Sequence, residues 1–347
     1  MHEQPHKNPE REAYYRKIAA KDMQPLWELL QGIQGNDPPT PEVPVIWHYE
    51  DVRPMLMEAG TLITAREADR RVLVLQNPTF AGQKLPRATH SLYAGLQLIM
   101  PGEIAPSHRH TQSALRLIVE GSDAYTAVNG EKTYMKPGDF VITPSWTWHD
   151  HGNETKEPMV WLDGLDIALV DLLNVSFFEA FGEDKFPVDR PEGDSNARYG
   201  AGMMPDGYAQ RGHTSPILNY SYDRTREALD QMARRGDYDD HDGLKMRYIN
   251  PVTGDWAMPT IGTCIRLLPK GFSTKPYRST DGTVYIAIEG SGRTIINGTP
   301  YDWKEHDVFV VPSWRPHYHE ASSEAVLFSF SDRPVQEKLG LFRESRA

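Results

Sequence analysis

One segment of this chain occurs twice. VEGSDAYTAVNGEKTYMKPGDFVITPSWTWHDHGN (119–153) lies over IEGSGRTIINGTPYDWKEHDVFVVPSWRPHYHEA (288–321), with one residue of slip between the Glu-Gly and Asn-Gly anchors. Glu120-Gly121 matches Glu289-Gly290, Asn129-Gly130 matches Asn297-Gly298, and Pro144-Ser145-Trp146 matches Pro312-Ser313-Trp314. Turn residues repeated at one spacing specify one repeated supersecondary unit, so the chain is expected to hold two β-domains of a single design. Around them LYAGLQLIM, ALRLIVEG, DFVITPSW and MVWLDGL are short β-rich runs separated by Gly, Pro and Asn-Gly. That texture belongs to antiparallel sandwiches and barrels.

Outside the repeat the texture changes. REAYYRKIAAKDMQPLWELLQGI spaces its apolar residues about three and four apart, with Pro25 set to open a second helix. RRVLVLQNP reads as a buried strand ending at Asn77-Pro78, and the polar stretch from about 180 to 250 reads as a connector with one helix at YDRTREALDQMARRG. The expected division is an N-terminal helical and mixed arm over 1–88, a first barrel over 89–180, the connector over 181–250 and a second barrel over 251–347.

Charge and cysteine content narrow the function. Acidic residues number 48 against 37 basic ones, a formal charge of -11, and no basic block interrupts that balance, so neither nucleic acid nor an anionic membrane is an expected partner. Cys264 is the one cysteine and has no intramolecular disulfide partner, and the first residues carry no apolar run. A cytoplasmic location is the expectation.

The chemistry concentrates in HRHTQSALR (108–116) and HDH (149–151). Side chains alternate along a strand, so His108 and His110 share a face, and Arg116 shares it if the strand runs on; Leu115 and Leu117 then point away. Two histidines at i and i+2 reach one metal ion, and the third ligand must come from a neighbouring strand. His149, after the Pro144-Ser145-Trp146 turn, is the candidate, with His151 at i+2 expected to face the same cavity as a proton donor or acceptor. A lone histidine pair is more often a surface feature; two such pairs at matched parity favour a metal. An arginine on the ligand face of an apolar strand calls for an anion, and a substrate carboxylate serves. Tyr93 and Gln97 share parity on an adjacent strand and are further lining candidates, as is Asp163; Arg71 is a candidate for a second anion contact.

GEIAPSHRHTQSALRLIVEG places Gly102, His108, His110 and Gly121 at the spacing of the first cupin motif, and GDFVITPSWTWHDHGN places Gly138, Pro144, His149 and Asn153 at that of the second. The constellation resembles the cupin superfamily, with two departures. Trp146 replaces the motif's inner glycine, and Ala114 stands where a glutamate would be the fourth ligand. With two barrels, three histidines and no glutamate, the chain resembles the gentisate 1,2-dioxygenase family from the arm through both barrels. The resemblance implies an all-β bicupin of two jelly-roll barrels with a helical arm and a connector. It implies one Fe(II) per chain in the N-terminal cupin, opening of gentisate by O2 to maleylpyruvate, and a homotetramer. Three histidines alone also suit Zn, Ni or Cu. Relatives acting on salicylate or 1-hydroxy-2-naphthoate keep those substrates open, and a non-catalytic bicupin for binding or storage is the alternative of another class. In the second copy, Tyr277 and Ser279 stand at the positions of His108 and His110, and only His317 and His319 match, so that barrel is expected to hold no metal.

Overall fold

The computed structural model describes residues 8–33, 35–208 and 212–346. Residues up to Pro39 form one compact unit and residues from Thr40 a second. In the first unit, α1 (Pro9–Ala19) starts where the Asn8 side chain accepts the Glu10 N–H and Pro9 presets the first turn, and α2 (Leu26–Ile33) follows Pro25.

The second unit opens with β1 (Val45–Trp47), α3 (Tyr49–Leu62), α4 (Ala65–Ala68) and β2 (Val72–Val74). The first barrel follows: β3 (Tyr93–Ile99), β4 (Ile104–His110), β5 (Ala114–Glu120), β6 (Tyr125–Val128), β7 (Glu131–Tyr134), β8 (Phe140–Thr143), β9 (His149–Gly152), β10 (Met159–Leu165), α5 (Ile167–Leu172) and β11 (Phe178–Ala180). Next come α6 (Asp194–Tyr199), β12 (Asn219–Tyr220), α7 (Tyr222–Ala233) and β13 (Leu244–Arg247). The second barrel repeats the first as β14 (Gly262–Leu268), β15 (Tyr277–Ser279), β16 (Thr283–Glu289), β17 (Ser291–Ile296), β18 (Thr299–Lys304), β19 (Val308–Val311), β20 (His317–Ala321), β21 (Ala325–Ser331), α8 (Arg333–Lys338) and β22 (Glu344–Arg346).

Each barrel is a jelly roll of two antiparallel sheets, and each borrows an edge strand from the other half. The first barrel's sheets run β12-β8-β5-β10-β3-β2 and β11-β4-β9-β6-β7; the second's run β1-β19-β16-β21-β14-β13 and β18-β17-β20-β15-β22. Thus β1, ahead of the first barrel, pairs with β19, and β12, ahead of the second, pairs with β8. Within the expected arm, β1 and β2 are sheet strands, and within the expected connector β12 and β13 are. The strand expected to be buried in RRVLVLQNP is β2, an edge strand whose Val74 is exposed.

The largest apolar cluster lies between the barrels. Leu115 and Leu117 of β5 join it with Phe140, Val284, Phe328 and Phe330, and the Phe140 and Phe328 rings sit 5.5 Å apart. Strand alternation then turns Arg116 into the interior of its own barrel.

Candidate metal centre and substrate cavity

β4 and β9 run antiparallel with His108 opposite His149, and His110 lies two residues on, at the end of β4. The ring nitrogens that His108, His110 and His149 offer fall within 4.8 Å of one another. Backbone carbonyls orient two of the rings: His110 Nδ1 is 2.8 Å from Gln112 O, and His149 Nδ1 is 3.0 Å from Thr147 O. A carbonyl can only accept, so each Nδ1 carries the proton and each Nε2 presents a lone pair, the arrangement that metal-ligating histidines need. Burial, followed by the Arg70 charge, pushes His108 down to about 2, and burial takes His110 down to about 4. His149 is also held far below the ordinary range by burial and the Arg116 charge. All three rings are neutral at physiological pH, as ligation requires.

Above this cluster is a cavity of about 190 Å³, lined by the three histidines and by Arg70, Val72, Tyr93, Gln97, Ala114, Arg116, Asp163, Leu165 and Ile167. Arg116 and Asp163 are both buried in its wall. Arg116 Nη1 donates to Thr143 Oγ1 at 2.5 Å, while Nε, 3.5 Å from Asp163 Oδ1, makes no hydrogen bond. Burial raises the Asp163 carboxyl to about 6 against the pull of Arg116, and Asp163 Oδ1 also accepts Trp161 Nε1–H at 3.0 Å. The condition that the strand run on from His110 to Arg116 is not met. Thr111–Ser113 separate β4 from β5, so Arg116 sits on the opposite sheet from the histidines, and the two meet because both sheets turn their inner faces to one cavity.

The cupin domain profile matches residues 95–165. The chain is 55% identical to gentisate 1,2-dioxygenase 1 of Aquipseudomonas alcaligenes over 99% of both chains. The chain belongs to the gentisate 1,2-dioxygenase family. It is also 38% identical to 5-aminosalicylate 1,2-dioxygenase of a Comamonas species, across 96% of this chain and 89% of that one. The structure of salicylate 1,2-dioxygenase from Pseudoaminobacter salicylatoxidans in its adduct with gentisate superposes with a TM-score of 0.91 at 33% identity, covering 99% and 96% of the two chains.

Two expected site residues lie elsewhere in this member of the dioxygenase family. Arg71 is turned away from the cavity: its guanidinium pairs with Glu103 and donates to Ile63 O at 2.7 Å. Its neighbour Arg70 takes the place on the lining, with Nη2 2.8 Å from Pro106 O and from His108 Nδ1. The sequence signal for either arginine was the same; they are adjacent residues in the segment ahead of β2, and the packed fold sends one to the cavity and the other to Glu103. His151 is fully buried behind His149 and is off the lining, its ring 5.7 Å from that of His149 and 5.5 Å from Trp161. Its Nδ1 meets Thr126 Oγ1 at 2.9 Å, and Nε2 has no partner.

Gly95 was not singled out from the sequence. It lies between Tyr93 and Gln97 on the cavity face of β3, where a Cβ would stand 2.5 Å from the Tyr93 hydroxyl. A glycine inside an otherwise apolar strand is the signal that could have found it.

The departure at Trp146 has a local explanation. Its φ is 59°, the left-handed region that glycine enters freely. Its N–H donates to His110 O at 2.8 Å, and the Arg109 guanidinium stacks 4.5 Å from the indole. The second barrel repeats the device at Trp314, with φ 60° and Arg278 at 4.5 Å. There Tyr277 lies opposite His317 as His108 lies opposite His149, so the matched positions are structurally equivalent. Among the described residues, the triad of the first barrel is the group of three such ligands.

Proposed function

We propose that this chain opens gentisate with O2 between its carboxyl-bearing carbon and the adjacent hydroxyl-bearing carbon, giving maleylpyruvate, with Fe(II) held by His108, His110 and His149. The carrying observation is a single cavity in which three neutral imidazoles face a buried arginine. Its volume, about 190 Å³, compares with the roughly 150 Å³ that holds a benzene ring. That suits a one-ring acid.

Iron bound by three neutral histidines without a carboxylate keeps its charge and open positions for a chelating anion and dioxygen. The protein's part is positioning. Arg116 takes the substrate carboxylate with its guanidinium on the cavity wall, and Arg70 adds a second positive charge there. Tyr93, Gln97 and Asp163 line the ring's surroundings with a hydroxyl, an amide and a carboxyl. His151, fully buried and off the cavity lining, backs the His149 ring from 5.7 Å and does not reach the substrate. A cytoplasmic homotetramer is part of the proposal. Leu172, Leu173, Phe177 and Phe178 form an exposed apolar run that supports self-association, since an assembly would cover it. No helix among the described residues is long and apolar enough to cross a membrane.

The test is anaerobic loading with Fe(II), then oxygen uptake on gentisate, salicylate and 1-hydroxy-2-naphthoate in parallel. One O2 consumed per gentisate, with maleylpyruvate formed, is expected. Faster turnover of salicylate or hydroxynaphthoate would replace the substrate, and iron binding without uptake on any of the three would turn the reading to a binding protein.

A further inference from the structure

Asp166 caps α5 and is flanked by two residues of the cavity lining, Leu165 and Ile167. Its buried carboxylate has a partner on each oxygen: Oδ1 accepts the N–H of Ser113 at 2.9 Å, and Oδ2 accepts the hydroxyl of Thr260 at 2.6 Å. Ser113 is followed by Ala114, the first residue of β5 and part of the cavity wall. It is preceded by Gln112, whose carbonyl holds the His110 ring at 2.8 Å. Thr260 comes from the other barrel, in the loop ahead of β14. A short chain of hydrogen bonds and backbone therefore runs from the second barrel to a histidine of the triad.

The internal duplication separates this latch from ordinary packing. Asp332 caps α8 as Asp166 caps α5. Its carboxylate goes instead to His90, at 3.2 Å, and to Gln336, at 3.2 Å. The tie from the aspartate to the backbone that opens the barrel's next strand belongs to the barrel with the triad.

We propose that Thr260 is a positioning residue for the metal centre: through Asp166 it holds residues 110–114 so that His110 keeps its ring direction and Ala114 keeps the cavity wall in place. The second barrel then contributes to the site in the first without touching substrate. The inference rests on the reading of the three histidines as a metal site, and it needs no assumption about the substrate.

Co(II) is the probe, since its binding and its visible ligand-field spectrum are read without gentisate or oxygen. Thr260→Val removes the donor at nearly constant shape, and Thr260→Ser keeps it. The valine variant is expected to raise the Co(II) dissociation constant about 10-fold, the lower end of the effect of losing an outer partner of a metal ligand. It is also expected to shift the ligand-field bands, with serine restoring both. In an Asp166→Ala background, where Thr260 has no side-chain partner left at that position, the valine change is expected to add nothing further. Thr260→Ala serves in the same assay if valine impairs folding, which thermal unfolding of each apo-protein reports. Native Co(II) affinity and spectrum in the folded valine or alanine variant would overturn the proposal, as would serine behaving like valine. Wild-type protein that binds Co(II) through His108 but takes up no oxygen with gentisate would overturn the substrate and leave Thr260 in its role. Wild-type protein that binds no Co(II) would remove the metal reading itself.

Discussion

Arg116 and the triad divide the work of the site, and substitution separates them. Without His108 two ligands remain, so His108→Ala is expected to lose bound iron and oxygen uptake together, read by metal analysis and an oxygen electrode. Arg116 touches none of the ligands' hydrogen-bond partners; its one donated bond goes to Thr143. Arg116→Ala should therefore keep the iron and weaken productive substrate binding. A charge-assisted hydrogen bond contributes about 1.5–3 kcal/mol, so kcat/KM should fall roughly 10- to 150-fold, mainly through KM. Turnover near the native level would remove its carboxylate role. At this scale the triad was legible because its spacing is local. Arg70 and His151 were not, because the course of the segment ahead of β2 and the depth of a neighbouring strand lie outside anything the chain writes locally.

Two helices lock the barrels reciprocally. The first N–H of α3, at Tyr49, donates at 2.8 Å to Asp307, which lies in the second barrel. The first N–H of α7, at Tyr222, donates at 2.9 Å to Asp139, which lies in the first. Both helices then send a Tyr and an Arg to a glutamate at the end of a strand: Tyr49 and Arg53 to Glu120, and Tyr222 and Arg226 to Glu289. Asp307 is fully buried and also accepts the Lys304 N–H at 3.1 Å. Asp307→Ala leaves those donors unsatisfied, and a loss of about 1–3 kcal/mol is expected in denaturant unfolding, with site chemistry in the first barrel little changed. Of the two helices, α7 was visible in the sequence, at YDRTREALDQMARRG. Their caps were not, since a helix N-terminus completed by a distant carboxylate has no signature beside it.

Across the whole molecule, His90 joins segments far apart in the chain. Its Nδ1 is 2.8 Å from Glu42 Oε1 and its Nε2 3.2 Å from Asp332 Oδ2, so one ring bridges the extended segment ahead of β1 and the cap of α8. Burial alone would lower its pKa; the hydrogen bonds to Asp332 and Glu42 outweigh that and push it up to about 10. The folded value lies above the unfolded value of about 6.5. The stabilisation is therefore complete below about pH 6.5 and lost as pH rises through about 10. Thermal midpoints of the native protein and His90→Gln should differ most just below about pH 6.5, narrow through neutral pH and converge above about pH 10; a gap that is constant with pH would assign the effect to packing alone.

The sequence by itself determined the duplication, the antiparallel β texture and the candidate histidines His108, His110 and His149, because turn chemistry and i, i+2 alternation act between residues close in the chain. Tertiary structure decided the exchange of β1 and β12 between barrels, the place of Arg116 on the opposite sheet, the choice of Arg70 over Arg71, the burial of His151 and the reach of Thr260 to Asp166. Each of these depends on which faces of distant strands meet when apolar side chains such as Leu115, Phe140 and Phe328 leave water together, and that choice is made by the packed core as a whole.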